Sequence, residues 1–258
     1  LFPYTTLFRS VNRPVCREVF AADFIDRIVH HLFVNRIIKC FEQEMINDSY
    51  SCRVGKGTQY GVNRCYQFIN ECSRNYTRDC YVLKCDLKAF FININKDILY
   101  KMLYNFLVEK CKFSGKDLRF MDMLLNKILY NDPTKNCIIK GGIKNWDKLP
   151  KEKSLFNCGF NKGLPIGNLT SQMFANFYLM MFDKYVINEL GFEYYGRYVD
   201  DFFIISESKE KLLEVIPKLR DKLTEFEVTL HPKKLYLQHY SKGVKFIGYV
   251  IKPGRIYV

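Results

Sequence analysis

"YYGRYVDDFFIIS", Tyr194 to Ser206, sets two adjacent aspartates, Asp200 and Asp201, inside an aromatic and β-branched run. A strand buried in a core should not carry two carboxylates, because desolvating an unpaired charge is costly. Either a cation meets them, or the pair is the turn of a hairpin that simply uses Asp-Asp. A second run, "YVLKCDLKAFF" at 81–91, leads an apolar β-like stretch into Asp86. Two such strands lying side by side would bring Asp86 and Asp200 to one edge. Clustered carboxylates repel one another and are held together best by divalent cations. Their hard oxygens suit Mg²⁺, which takes one or two carboxylates plus substrate phosphates. Two such ions about 4 Å apart can activate a hydroxyl and stabilise the leaving oxygen of an in-line phosphoryl displacement.

The gross composition agrees with a polyanionic partner. The chain has 258 residues with 40 Lys+Arg against 27 Asp+Glu, a formal charge of +13. That excess suits a phosphate backbone, where each neutralised phosphate releases counterions. Hydrophobic residues at 48% are enough for a core, and 18 Tyr with 22 Phe serve packing and base stacking alike.

Ten cysteines run from Cys16 to Cys158 without a CxxC pair or histidines at zinc spacing. Several, such as Cys85, sit in apolar runs where a free thiol packs as a small hydrophobe. This predicts a reducing, intracellular setting. No apolar run approaches the roughly 18 residues of a membrane span, and no signal peptide is visible. The opening "LFPYTTLFRS" lacks a period and resembles translated adapter sequence, so residues 1–10 are expected to be an artefactual or disordered tail.

Residues 15–48 read mainly as helix, with Phe24, Ile28, Leu32 and Ile37 at helical spacing. His30 and His31 on it read as surface or capping residues rather than metal ligands. A basic glycine-bearing loop, "DSYSCRVGKGTQYG", precedes a helix over about 59–76. Further helices are expected at about 96–130, 168–190 and 208–226, with short strands to the end. Residues 131–162 are loop-rich and hold the only tryptophan, Trp146. Uneven alternation of helices and strands favours an α+β fold. The segment "NKGLPIGNLTSQ" joins a Gly/Pro loop to a helix start, Gly167-Asn168-Leu169-Thr170, whose bare N–H groups and glycine permit close approach of a base pair or phosphate.

In this order the segments resemble reverse transcriptases, from about residue 13 to the end. "CREVFAADFIDRIVHHLFVNRI" looks like the family's first block and "DSYSCRVGKGT" like its fingers block. "LKCDLKAFFININ" resembles motif A, "GLPIGNLTSQ" motif B, "YVDD" motif C and "LHPKKLYL" motif D. "VKFIGYVI" resembles the primer-grip hairpin. The resemblance implies a right-hand polymerase core of fingers and palm with a small antiparallel palm sheet. It implies residues 13–80 mainly as fingers and 81–258 mainly as palm, with a fingers excursion between about 96 and 165.

By the same resemblance Asp86, Leu87, Asp200 and Asp201 would form the metal site, Asp201 more peripheral, with two Mg²⁺ ions or Mn²⁺ in their place. Phe91 falls where the family keeps its steric gate against a ribose 2′-OH. Arg53 and Lys56 would reach the triphosphate, and Pro165, Ile166, Gly167 and Gln172 would line the nucleotide site. Lys234 matches the lysine that protonates departing pyrophosphate, with Lys233 an adjacent rival.

Ile166 stands where many members have glutamine. That form resembles the error-prone enzymes of diversity-generating retroelements, as does the stretch from Gly141 to Asn168. An apolar side chain forgoes an amide hydrogen bond to the nascent pair, worth about 0.5–1.5 kcal/mol of discrimination. A group II intron or retron-type enzyme is the alternative, as is a defence polymerase making untemplated DNA. A catalytically silent RNA-binding protein is a third reading. The resemblance implies template RNA, a DNA or RNA primer, dNTPs and a small basic accessory protein as partners. It places the enzyme, bacterial, archaeal or phage-encoded, in the cytoplasm, and the helical thumb is expected to be absent from this chain, through truncation or because another polypeptide supplies the clamp.

Overall fold

The Asp-Asp run folds as an antiparallel hairpin whose two strands meet with Tyr198 opposite Asp201. The computed structural model of the chain describes residues 6–11, 17–135, 137–140 and 149–258. Strands are β1 (Thr6–Val11), β2 (Arg17–Ala21), β3 (Tyr81–Asp86), β4 (Cys137–Lys140), β5 (Tyr195–Tyr198), β6 (Asp201–Ser206), β7 (Tyr236–His239), β8 (Val244–Phe246), β9 (Tyr249–Lys252) and β10 (Arg255–Tyr257). Helices are α1 (Phe24–Glu44), α2 (Thr58–Cys72), α3 (Phe90–Asn93), α4 (Lys96–Glu109), α5 (Gly115–Leu129), α6 (Leu169–Tyr178), α7 (Met180–Lys184) and α8 (Lys209–Thr224). A π-helical turn, Tyr185–Glu189, continues α7.

The chain divides into two units, one of residues 1–44 and 89–178, the other of 45–88 and 179–258. Residues 45–80 pack with the later sheet.

The second unit is built on an antiparallel sheet ordered β5-β6-β3-β7. Side chains alternate across it. One face carries Val82, Phe203 and Ile205, which pack with Val62, Cys65, Phe68 and Ile69 of α2 and with Val244, Phe246 and Ile251. On β6 and β3 also packs α8, which buries Leu212, Val215, Leu219 and Leu223. Gly196 lies under Tyr50: a Cβ there would stand 2.3 Å from the phenol oxygen, so only glycine fits.

In the first unit α1 packs on α6 and α5, and α4 on α5 and α6. Phe33 meets Phe174 edge-on at 5.7 Å between ring centroids, and Phe106 meets Phe177 at 5.0 Å. A small sheet is ordered β2-β1-β4. Residues 6–10, set aside as part of a tail, thus belong to its central strand, Thr6–Val11.

Several elements depart from the sequence reading. Residues 17–21 are strand rather than the start of a helix. On α1 the stripe Phe24, Ile28 and Leu32 is exposed, at 71%, 53% and 41%, whereas Asp26, His30, Phe33, Val34, Ile37 and Phe41 are buried. His30 is therefore an interior residue, its Nδ1 2.6 Å from Thr170 Oγ1. The strand expected over 81–91 ends at Asp86, and a left-handed Ala89 (φ 46°) starts α3. The long helix over 96–130 is two, broken at Lys112 and Gly115, both left-handed. Trp146 and much of the loop around it lie outside the described residues. Among the described residues all nine cysteines are free thiols, and no helix is long and apolar enough to cross a membrane.

Candidate active site

β3 pairs with β6 so that Asp86 faces Asp201 directly, and Asp200 occupies the turn before β6. The Leu87 N–H donates to the Asp200 carbonyl at 3.1 Å, tying the turn to the end of β3. Beyond it, His231 N–H donates to the Asp86 carbonyl at 2.7 Å, and the turn His231–Lys234 closes with an N–H···O bond of 3.2 Å. Pro232 suits such a turn by presetting φ. The turn aims Lys234 back at the strand end, with its ammonium 3.0 Å from Asp86 Oδ2. Three separate stretches of sequence thus converge on one strand end.

The turn residue Val199 has φ 57°. A β-branched residue in that region is a true outlier costing about 1–3 kcal/mol, sustained only where its surroundings over-determine it.

Asp201 points along the sheet face to Lys84, whose ammonium lies 3.0 Å from Oδ1. Lys84 also sits over the Tyr236 ring, 5.7 Å from its centroid. Burial pushes the Asp201 carboxyl up to about 7, with Lys84 opposing and the Asp86 and Asp200 carboxylates adding to the rise. Among the described residues no three His, Cys, Asp or Glu side chains gather as a metal cluster. Of the expected set Asp86, Leu87, Asp200 and Asp201, the last already has the Lys84 ammonium 3.0 Å from its Oδ1. Carboxylate oxygens of this kind suit a hard divalent ion, and at Asp86 the Lys234 ammonium already stands 3.0 Å away.

Arg53 and Lys56 turn back onto the loop that precedes them. Arg53 Nη1 donates to the carbonyls of Ile46 and Ser49 at 2.6 and 3.0 Å. The Lys56 ammonium donates to Asn47, to its backbone carbonyl and, at 3.0 Å, to its side-chain oxygen. Phe91 is half-buried on α3 with its ring 5.8 Å from that of Phe90. In the loop before α6, Pro165 and Ile166 are half-buried and Gly167 is exposed. The Ile166 carbonyl accepts from Phe20 N–H at 2.7 Å, and Ala22 N–H donates to Asn168 Oδ1 at 3.1 Å. At Gly167 (φ 129°) the close approach is to β2: a Cβ would stand 2.7 Å from the Phe20 carbonyl oxygen. Gln172 is exposed on α6.

A family model described as reverse transcriptase (RNA-dependent DNA polymerase) matches residues 16–251. The chain belongs to the reverse transcriptase family. Its fold is similar to that of Candida tropicalis telomerase in complex with a fragment of telomeric RNA, at a TM-score of 0.66 and 14% identity. That likeness covers 98% of this chain and 44% of that one. Apo telomerase from the same organism, truncated from its C-terminal domain, gives 0.63 and 13% over 98% of this chain and 54% of that one. Candida albicans telomerase gives 0.63 and 11%, over 98% and 46%. The reverse transcriptase chain thus spans about half the length of the telomerases it matches, and has the α+β architecture of a right-hand polymerase core. No curated protein sequence matches it.

Two ionisable residues near the Asp200 turn escaped the sequence reading. One is Lys84, the other Arg197, which is fully buried on β5 with Asp183. Each is an ionisable residue inside an apolar run, "YVLKCDL" and "YYGRYV". That is the signal by which they could have been found, since such a residue demands a partner.

Proposed function

We propose that the chain is the catalytic core of an RNA-directed DNA polymerase that extends a DNA or RNA primer on an RNA template. The observation that carries this is the β3–β6 register, which sets Asp86 beside the Asp200-Asp201 turn. The family match supports it, and the telomeric RNA in the Candida tropicalis complex supports an RNA partner. In the reaction the primer 3′-hydroxyl gives its proton to water, its oxygen forms a bond to the α-phosphorus of a dNTP, and the bond from that phosphorus to the α,β-bridging oxygen breaks to leave pyrophosphate. Asp86 and Asp200, with the Leu87 carbonyl, would hold two Mg²⁺ ions, or Mn²⁺, whose charge lowers the barrier to attack and steadies the leaving pyrophosphate.

The chain's own residues do the rest. Lys234, the one of two neighbouring lysines whose ammonium pairs with Asp86, gives its proton to pyrophosphate. Asp201 pairs with Lys84 beside the turn, 3.0 Å from its ammonium. Arg53 and Lys56 swing from their loop carbonyls to the triphosphate. Phe91 excludes a 2′-OH, and Pro165, Ile166, Gly167 and Gln172 flank the nascent base pair. Replacing Phe91 by Ala should reduce the preference for dNTP over rNTP by about 10- to 200-fold, read from kcat/KM ratios.

Within the family we assign the chain to the diversity-generating type, on the apolar Ile166. A small basic accessory protein and a cytoplasmic setting in a bacterial, archaeal or phage-infected cell belong to that assignment. Primer extension on a defined RNA template with all four dNTPs tests both levels, beside Asp200→Ala. Product that needs Asp200 and carries errors opposite template adenines supports both. Faithful product keeps the polymerase and removes the subtype, and product whose sequence ignores the RNA favours an untemplated polymerase.

A further inference from the structure

We infer that Arg197 is a positioning residue for the Asp200 turn, fixing it from behind the sheet. The inference rests on Asp200 serving in nucleotidyl transfer. Arg197 Nε and Nη2 bind Asp183 Oδ1 and Oδ2 at 2.7 and 2.6 Å. The third nitrogen, Nη1, donates to the Val199 carbonyl at 2.9 Å. Tyr195 Oη donates to Asp183 Oδ1 at 2.6 Å, so the carboxylate that aims the guanidinium is itself held. Arg197, Asp183 and Tyr195 are all buried to 1% exposure or less. The Arg197 backbone is clamped too: its N–H donates to Asp48 O and its carbonyl accepts from Tyr50 N–H, both at 2.9 Å.

The geometry has a specific consequence. Both carbonyls of the two-residue turn are bonded, Val199 O by Arg197 and Asp200 O by Leu87 N–H at 3.1 Å. The peptide that presents the Asp200 carboxylate is therefore fixed at each end. Val199 alone would leave its left-handed conformation (φ 57°), and the buried guanidinium prevents it. Arg is required because its planar fork meets a carboxylate with two nitrogens and still offers a third. Lys at the same place keeps the charge for Asp183, but its donors radiate from a single nitrogen and cannot reproduce the fork that reaches the carboxylate with two atoms and the Val199 carbonyl with a third.

Arg197→Lys therefore separates positioning from folding. We would compare wild type, R197K and R197K/V199G in single-nucleotide incorporation, with thermal melting, primer–template affinity and amide hydrogen exchange across 198–202. In R197K the fold and primer–template affinity persist, kcat falls about 10- to 100-fold, and turn amides exchange faster. Glycine at 199 accepts a positive φ without restraint, so V199G recovers part of that loss. A folded R197K with wild-type kcat and exchange overturns the inference. So does a loss of kcat without faster turn exchange and without recovery by V199G. Should R197K fail to fold, D183N, which keeps the guanidinium but removes the charge that aims it, is read by the same criteria. Failure of the polymerase reading is distinct: wild type itself would incorporate nothing, while the exchange difference between wild type and R197K would remain.

Discussion

The two units bury their ionisable groups in opposite ways. In the sheet unit they come as opposite charges in contact: Arg197 with Asp183 at 2.6 Å, Arg64 with Asp48 at 2.7 Å and Lys84 with Asp201 at 3.0 Å. Burial works against the Arg197 charge, yet Asp183 and Tyr195 hold its pKa above the ordinary value. The hydrogen bond to Asp48 does the same for Arg64. In the helical unit the buried groups stand singly beside neutral partners. His30 meets Thr170, and Glu18 accepts from Ser154 Oγ at 2.5 Å and Leu155 N–H at 2.7 Å. Each of these shifts toward its neutral form. Burial, with His31 adding, takes His30 down to about 4, burial raises Glu18, and burial lowers Lys96. Charge is kept where the proposed chemistry needs a field and discharged where the unit only has to pack. Asp201 is the partial exception, since desolvation outweighs its lysine.

The sharpest way to break this contrast is Lys84→Met, which leaves Asp201 buried without its cation. The cost expected is about 3–5 kcal/mol in urea unfolding. A loss below about 1 kcal/mol would make the pair no better than a surface contact and dissolve the distinction. Next comes acid. The folded His30 pKa lies below its unfolded value, so the unfolded chain binds the extra proton. Stability is complete above about pH 6.5 and declines as pH falls toward 4, by up to about 3 kcal/mol. His30→Gln should flatten that slope in a pH series of unfolding midpoints, and an unchanged slope would assign the acid loss elsewhere. The smallest effect belongs to Lys234→Met. Its side chain is 54% exposed, so its pair with Asp86 should contribute less than about 1 kcal/mol to folding, although nucleotide incorporation slows. A large stability loss there would erase the difference between a structural lysine and a working one.

The hairpin around Asp200 and the strand leading to Asp86 were legible because charged residues interrupt runs that are otherwise aromatic and β-branched. That contrast survives any packing. The face of α1 was not legible, because apolar residues lie on both sides of the helix. Phe24, Ile28 and Leu32 keep the same spacing as the buried set, and only tertiary contacts decide which turns inward. Residues 17–21 were lost to a short apolar run that fits strand or helix equally. The break after Asp86 depends on a left-handed alanine, which no residue type announces. At Gly167 the glycine was noticed but its neighbour was not, since the close approach is to Phe20, far away in sequence.

The strand order has a consequence for the birth of the molecule. β3 lies between β6 and β7, both made long after it. At ribosomal speeds of roughly 5–20 residues per second, the central strand waits several seconds with both edges unpaired. Its run Tyr81–Cys85 is aromatic and apolar apart from Lys84. In the nascent chain that lysine is the charge within Tyr81–Cys85 that discourages neighbouring polypeptides from pairing with the run. The residue that later neutralises Asp201 is thus also its gatekeeper during synthesis.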